Sequence, residues 1–286
     1  MTLQLLRLKP IPLPLSPSSS FLPSLSVARK LITSRTRAIV LVSPNNPCGI
    51  VYPPELLKEF YDLAKEKGIA LVVDETYRDF VRPDSSSPSS SSSNSRGKPH
   101  DLFSLDKWDE TLVSLFSFSK SYKVPGYRLG GMVASKEVLE ACRTVADCVQ
   151  VSRRSQIAEG RYLNSIRYQI CPSRLPQLAL AQLLPQLRPS LTTTSDALHA
   201  RLAQFRDLIQ LVPGWSVSSS GGYFSYVRFP DEYGPHVGSE QVAKRLVEDC
   251  GVVTLPGAWF MPEKEDEAWR ALEEMGSEVV EDRWLR

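Results

Sequence analysis

Apolar positions along the chain follow two rhythms. Short, nearly unbroken runs at Ala38–Ser43 (AIVLVS), Ala70–Asp74 (ALVVD) and Thr111–Leu115 (TLVSL) read as buried strands. Leu129–Ala134 (LGGMVA) is another run of the same kind. Between the first two, Pro54–Gly68 has helical spacing. Leu56, Phe60 and Leu63 share one face, Pro53 and Pro54 suit the first turn, and Gly68 closes it. Strand, helix and strand at this spacing form a βαβ unit with parallel pairing and a right-handed crossover. In such sheets ligands sit beyond the carboxyl ends of the strands.

The pattern changes downstream. Lys136–Val149 reads as a helix, while Ser152–Gln169 is polar, basic and without periodicity. Thr194–Gln210 is an amphipathic helix with Leu198, Leu202, Phe205 and Ile209 inside. Trp215–Ser218, a Gly221-Gly222 turn and Tyr223–Phe229 read as a β-hairpin. Gln241–Cys250 is a helix and Val252–Leu255 a strand. The fold expected is α/β. A three-layer, parallel-rich sheet occupies residues 35–150, and 170–286 hold the rest of that domain and a smaller α+β domain. Residues 151–169 read as an insertion between Gln150 and Ile170. Ser85–Gly97 is a low-complexity serine tract, expected to be exposed and irregular. Residues 1–34 are expected to be disordered or a mis-annotated start. Their first thirty residues hold basic groups and no acid, as a transit peptide does, but prolines at 10, 12, 14 and 17 oppose an amphipathic helix.

Composition narrows the classes. The chain has 286 residues, 42% hydrophobic and 23% charged, with a net charge of +2. This suits a soluble globular protein and gives no reason to expect nucleic acid or an anionic membrane as partner. The five cysteines are scattered and form no CxxC pair, so they read as reduced thiols of a cytoplasmic protein. The three histidines lie far apart and offer no metal-ligand spacing.

Candidate chemistry gathers at Leu115–Gly131, LFSFSKSYKVPGYRLGG. Lys120 is flanked by the hydroxyls of Ser117, Ser119 and Ser121, and Arg128 follows eight residues on. A lysine at the mouth of a buried strand is expected to be desolvated, which frees its amine for Schiff-base chemistry. Small hydroxyls and a forked guanidinium suit a phosphate. Each residue alone has a plainer reading: Lys120 as a solvated loop lysine, Asp74 as a helix cap, Tyr77 as core lining, Arg128 as a surface arginine. Their convergence at strand ends with Asn46 favours a site.

Three stretches stand together in order: Ser43-Pro-Asn-Asn-Pro-Cys-Gly49, Asp74-Glu-Thr-Tyr77, and Ser117-Phe-Ser-Lys120 with Arg128. With Leu255-Pro-Gly-Ala-Trp-Phe260 and Asp282-Arg-Trp-Leu-Arg286, the sequence resembles the class I/II aminotransferases. These are fold-type I enzymes dependent on pyridoxal 5′-phosphate. The resemblance runs roughly from Phe21 to Arg286. It implies amino-group transfer from an amino acid to a 2-oxo acid, with a homodimer in the full-length family member. Lys120 would hold the cofactor aldehyde as an internal aldimine and move the α-proton. Asp74 would face the pyridine nitrogen, and Tyr77 and Asn46 the ring oxygen. Arg128, Ser117 and Ser119 would hold the phosphate, and Arg286 the substrate carboxylate.

Departures are visible too. Cys48 stands where the family has threonine in its proline-threonine-glycine turn. The family's early phosphate-binding helix and ring-stacking aromatic have no counterpart in residues 1–34, and the chain stops at Arg286. The sequence therefore reads as truncated at both ends, with weak cofactor binding expected of this chain alone. Two other readings compete: a non-catalytic fragment that keeps the lysine motif, and a lyase on the same scaffold.

Overall fold

The computed structural model describes residues 7–81, 99–148, 150–152, 167–169, 174–234, 236–261 and 282–286. Strands β1 (Ala38–Val42), β2 (Ala70–Asp74) and β3 (Leu112–Ser117) lie side by side in that order, all parallel. Ala38 stands opposite Ala70, and Asp74 opposite Leu115. β4 (Gly130–Val133) joins β3 antiparallel at the sheet edge. The parallel pairing expected from the strand–helix–strand pattern is present.

Alternation along the strands sorts the sheet into two faces. Leu41, Leu71, Val73, Leu112 and Ser114 are buried. Helix α1 (Leu25–Leu31) joins the same core, and α2 (Pro54–Glu66) buries Leu57, Phe60, Leu63 and Ala64 there completely. Each large side chain in this core contributes roughly 1.5–3 kcal/mol. The buried stripe is turned by one residue from the expected one: Leu57 replaces Leu56 at its start. The opposite face is thinly covered. Val72 and Asp74 are half-buried there, and Val40 on edge strand β1 is 59% exposed.

The second half holds α3 (Lys136–Cys148), the short antiparallel pair β5 (Gln150–Ser152) and β6 (Arg167–Gln169), and α4 (Arg174–Ile209). The hairpin follows as β7 (Ser216–Gly221) and β8 (Phe224–Arg228), then α5 (Ser239–Cys250) and β9 (Trp284–Leu285), which pairs with β8. Among the described residues no helix is long and apolar enough to cross a membrane.

Several expectations need correction. Residues 1–34 were expected to lack structure, but Ser24 caps α1, accepting from the Val27 N–H, and Phe21 is buried against Tyr226 and Trp284. The helix expected from Thr194 starts twenty residues earlier and runs through Pro185 and Pro189. Prolines normally stop or kink a helix, and here the helix continues past both. Val252–Leu255 is no strand. Leu255 only exchanges two backbone hydrogen bonds of 2.9 Å with Arg286, and Val253 is exposed. Apolar character without a ladder partner did not suffice. The serine tract 85–97 and residues 153–166 of the expected insertion lie outside the described residues. The flanks of that insertion meet, with Gln150 opposite Gln169.

The halves of the chain touch backbone to backbone. Gly49 has φ +74°, and a Cβ built on it would lie 2.6 Å from the Gly221 nitrogen. Ser219 Oγ donates to the Cys48 carbonyl at 2.6 Å. The turn after β1 thus seats on the tip of the β7–β8 hairpin.

Candidate active site

The carboxyl ends of the three parallel strands form one edge. Asn46 follows β1, Asp74 ends β2, and Ser117 ends β3. Ser117 Oγ accepts the Ser119 N–H at 3.2 Å, capping the single helical turn Phe118–Ser121 that carries Lys120. Asp74 Oδ1 accepts from Thr76 N and Oγ1 at 3.0 and 2.6 Å. This tight Asx turn brings Tyr77 round beside the strand end.

A cavity of about 610 Å³ opens at this edge. Tyr77, Ser119, Lys120, Lys123, Tyr223, Phe224 and Arg286 line it, with Val253–Leu255 on its far side. Lys120 is exposed to the cavity rather than desolvated. Its carbonyl accepts the Tyr223 hydroxyl at 3.0 Å, which ties the lysine turn to the hairpin tip. Arg286 lies over the Phe224 ring, 4.3 Å from its centroid. Pairing of β9 with β8 and of Leu255 with Arg286 fixes this last residue in place.

Tyr77 connects the groups electrostatically. Burial pushes its phenol above the ordinary range; the Arg286 guanidinium opposes this, and Asp74 and Tyr223 add to it. Asp74 and Arg286 thus both act on one phenol at the cavity wall. The lining cations are Lys120, Lys123 and Arg286, with no side-chain carboxylate among the lining residues.

The expected site residues divide accordingly. Tyr77, Ser119, Lys120 and Arg286 come together on the cavity, and Asp74 stands beside Tyr77. Ser117 lies one step behind as the cap. Asn46 is exposed and Arg128 is exposed; neither lines the cavity. Arg128 adopts φ +55° and donates from Nη1 to the Pro125 carbonyl at 3.1 Å, and Pro125 is on the cavity rim. Asn45 rather than Asn46 organises the turn after β1. It donates to Tyr52 Oη at 3.0 Å and accepts the Cys48 N–H at 3.2 Å.

Lys123, Tyr223 and Phe224 were not anticipated. Lys123 has φ +56°, a conformation that non-glycine residues seldom adopt. The Gly221-Gly222 signal located the hairpin, but nothing local indicates that its tip enters a site formed over a hundred residues earlier.

A family model described as aminotransferase class I and II matches residues 1–265. The chain is 28% identical over 256 residues to a probable aspartate/prephenate aminotransferase of Aquifex aeolicus, covering 88% of this chain and 57% of that protein. The chain thus spans little more than half the length of that curated relative. Two solved structures share the fold. A PLP-dependent aminotransferase from Streptococcus suis superposes with a TM-score of 0.65 at 21% identity, over 95% of this chain and 57% of that one. An aromatic aminotransferase from Pyrococcus horikoshii gives 0.69 at 20% identity, over 93% and 67%.

Proposed function

The chain belongs to the class I and II aminotransferase family, and we propose that it transfers the amino group of an amino acid to a 2-oxo acid with pyridoxal 5′-phosphate as cofactor. One observation carries the reading: Lys120, Tyr77 and Arg286 line a single cavity at the sheet edge where Asp74 ends β2. The donor set fits the cofactor. A phosphate and a ring oxygen are anionic, and the cavity offers three cations, the phenols of Tyr77 and Tyr223 and the hydroxyls of Ser119, Ser225 and Thr254. When bound, the cofactor supplies an electron sink for breaking bonds at the amino acid Cα.

Each side chain has a task in this proposal. Lys120 would hold the cofactor through its aldehyde, and its Nζ would carry the α-proton. Asp74 would face the ring nitrogen and favour its protonated form. Tyr77 would donate to the ring oxygen, with Asn46 on the turn after β1 as the second donor in this proposal. Ser117, Ser119 and Arg128 receive the phosphate, Arg128 from its tether on the rim. Arg286 forks onto the substrate carboxylate and fixes the direction of the Cα–H bond. The proposal extends to a cytoplasmic homodimer. The exposed free thiols of Cys142 and Cys250 suit a reducing compartment. Exposed Val253, Trp259 and Phe260, close to the cavity, offer apolar surface to a second subunit.

The test is covalent. Purified chain is incubated with pyridoxal phosphate, reduced with borohydride and digested, and the modified peptide is identified by mass. Label on Lys120, lost in Lys120→Ala together with amine transfer to a panel of 2-oxo acids, is the expected result. Label spread over surface lysines, or transfer that survives Lys120→Ala, would overturn the reading.

A further inference from the structure

A buried acid–histidine pair lies behind the cavity and takes no part in the chemistry proposed for it. Glu75 follows Asp74 directly, and its N–H continues the sheet ladder by donating to the Leu115 carbonyl at 2.7 Å. Successive side chains of an extended chain point to opposite faces. Asp74 therefore shares the thinly covered face with Val72, and Glu75 enters the core face with Val73, where it is 1% exposed. A carboxylate so deeply buried is tolerated only when its charge is met by partners.

Three groups meet it. Ser114 Oγ donates to Glu75 Oε2 in a short hydrogen bond. His100 Nε2 faces Oε1 at 3.4 Å with the imidazole buried as well, a charge contact in which neither atom makes a hydrogen bond among the described residues. Arg78 Nη1 lies 3.9 Å from Oε2. The neutral His100 tautomer follows from its other nitrogen. Nδ1 accepts the Leu102 N–H at 3.2 Å, so the ring proton sits on Nε2, toward Glu75. Burial alone would raise the Glu75 carboxyl; His100, Ser114 and Arg78 outweigh it and hold the group below the usual range.

Glu75 also sits between two residues of the candidate site. Its carbonyl accepts the Arg78 N–H at 3.0 Å, closing the turn that presents Tyr77. On its other side is Asp74, whose Oδ1 accepts from the Thr76 N–H and hydroxyl. Glu75 is thus the side chain that anchors the Asp74–Tyr77 turn into the core.

We infer that Glu75, gripped by His100 and Ser114, sets the position of Asp74 and Tyr77 toward the cofactor, and that His100 is a positioning residue for cofactor binding. The inference rests on the proposed reading of the cavity. Removing the His100 imidazole leaves the buried carboxylate without the polar group that faces its Oε1. The strand end then shifts to regain one, and Asp74 and Tyr77 move with it.

The full chain and three variants test this. His100→Leu removes the donor at similar size, His100→Gln keeps an N–H for Glu75, and Ser114→Ala removes the other donor. Pyridoxal phosphate affinity is read from the cofactor's absorbance, and so is the pH midpoint of that absorbance, which reports the charges around the ring. Outer partners of ligating groups at metal sites are worth about tenfold or more in affinity, and the same order is expected for His100→Leu. Its pH midpoint moves by about half a unit or more, while His100→Gln stays within about threefold of wild type with an unmoved midpoint. His100→Leu with wild-type affinity and midpoint overturns the inference, as does equal loss in the leucine and glutamine variants. Should His100→Leu fail to fold, Ser114→Ala decides. A loss of about threefold supports the positioning role, and unchanged affinity overturns it. A wild-type chain that takes up no cofactor overturns the cavity reading and this inference together; cofactor uptake unaffected by the variants overturns the inference alone.

Discussion

Gly49 shows how one missing methyl joins two parts of the chain. It adopts φ +74°, and a Cβ there would meet the Gly221 nitrogen at 2.6 Å and its carbonyl oxygen at 2.9 Å. Gly68 adopts a similar φ of +63° but has nothing within 4 Å of a built Cβ. Comparing the two separates backbone strain from steric exclusion. Gly68→Ala is expected to cost about 1 kcal/mol from conformation alone, and Gly49→Ala about 2–3 kcal/mol. Urea midpoints at unchanged slope measure both, and equal losses would refute a tight junction. Neighbouring Cys48 makes a second residue-scale case. Burial pushes its thiol up to about 12, whereas Cys142 and Cys250 are exposed. Since the thiolate is the reactive form, an alkylating reagent near pH 8 should label Cys142 and Cys250 and leave Cys48 unmodified until the chain unfolds. Peptide masses after timed labelling check this.

Among the elements, the end of β2 carries the most consequence. It puts Asp74 on the open face and Glu75 in the core. The Glu75 carboxyl is held below its unfolded value, so its stabilisation is complete above the unfolded pKa and is lost as pH falls through the folded one. Stability measured in urea should therefore fall on acidification below about pH 4, near the unfolded glutamate value. Glu75→Gln should be less stable at neutral pH and show a flatter acid limb. An acid limb as steep in Glu75→Gln as in wild type would mean that other carboxylates govern it. The strands themselves were legible from sequence, because short apolar runs ending in polar residues have few other uses. Their parallel order followed from the helix between them. The start of α4 was not legible, since prolines at 185 and 189 locally argue against the helix that tertiary packing keeps. The supposed strand at Val252–Leu255 failed for the converse reason: its residues favour extension, but a strand needs a partner. That Lys120, Tyr77 and Asp74 gather at one edge of the sheet was legible because each lies at or just after a strand end. Tyr223 was not, because its approach to Lys120 depends on the Gly49–Gly221 contact between distant segments.

At the scale of the molecule, one aromatic cluster links an early segment to the last residues described. Tyr226 and Trp284 stack at 6.0 Å with planes 8° apart, and Phe21 stands edge-on to both at 5.6 and 6.2 Å. Phe21, Tyr226 and Trp284 are all buried, and Cys48 joins them. Trp284 belongs to β9, and two residues later Arg286 overlies Phe224 in the cavity. The proline-rich segment that composition assigned to disorder therefore supports the strand that holds the proposed carboxylate-binding arginine. Local composition conveyed nothing of this, because the support is a single aromatic ring finding two others more than two hundred residues away. Phe21→Ala should then act at two levels. Loss of a buried phenylalanine with a cavity left behind costs about 3 kcal/mol or more of stability. Loosening β9 should also weaken capture of a substrate carboxylate, raising KM for the amino donor more than it lowers kcat, because Arg286 is assigned to binding rather than to proton transfer. Ser18→Ala, three residues away on an exposed turn, should change neither quantity. A Phe21→Ala chain that loses stability yet keeps the wild-type KM would show that β9 is held by β8 alone, and that the early segment supports the core but not the site.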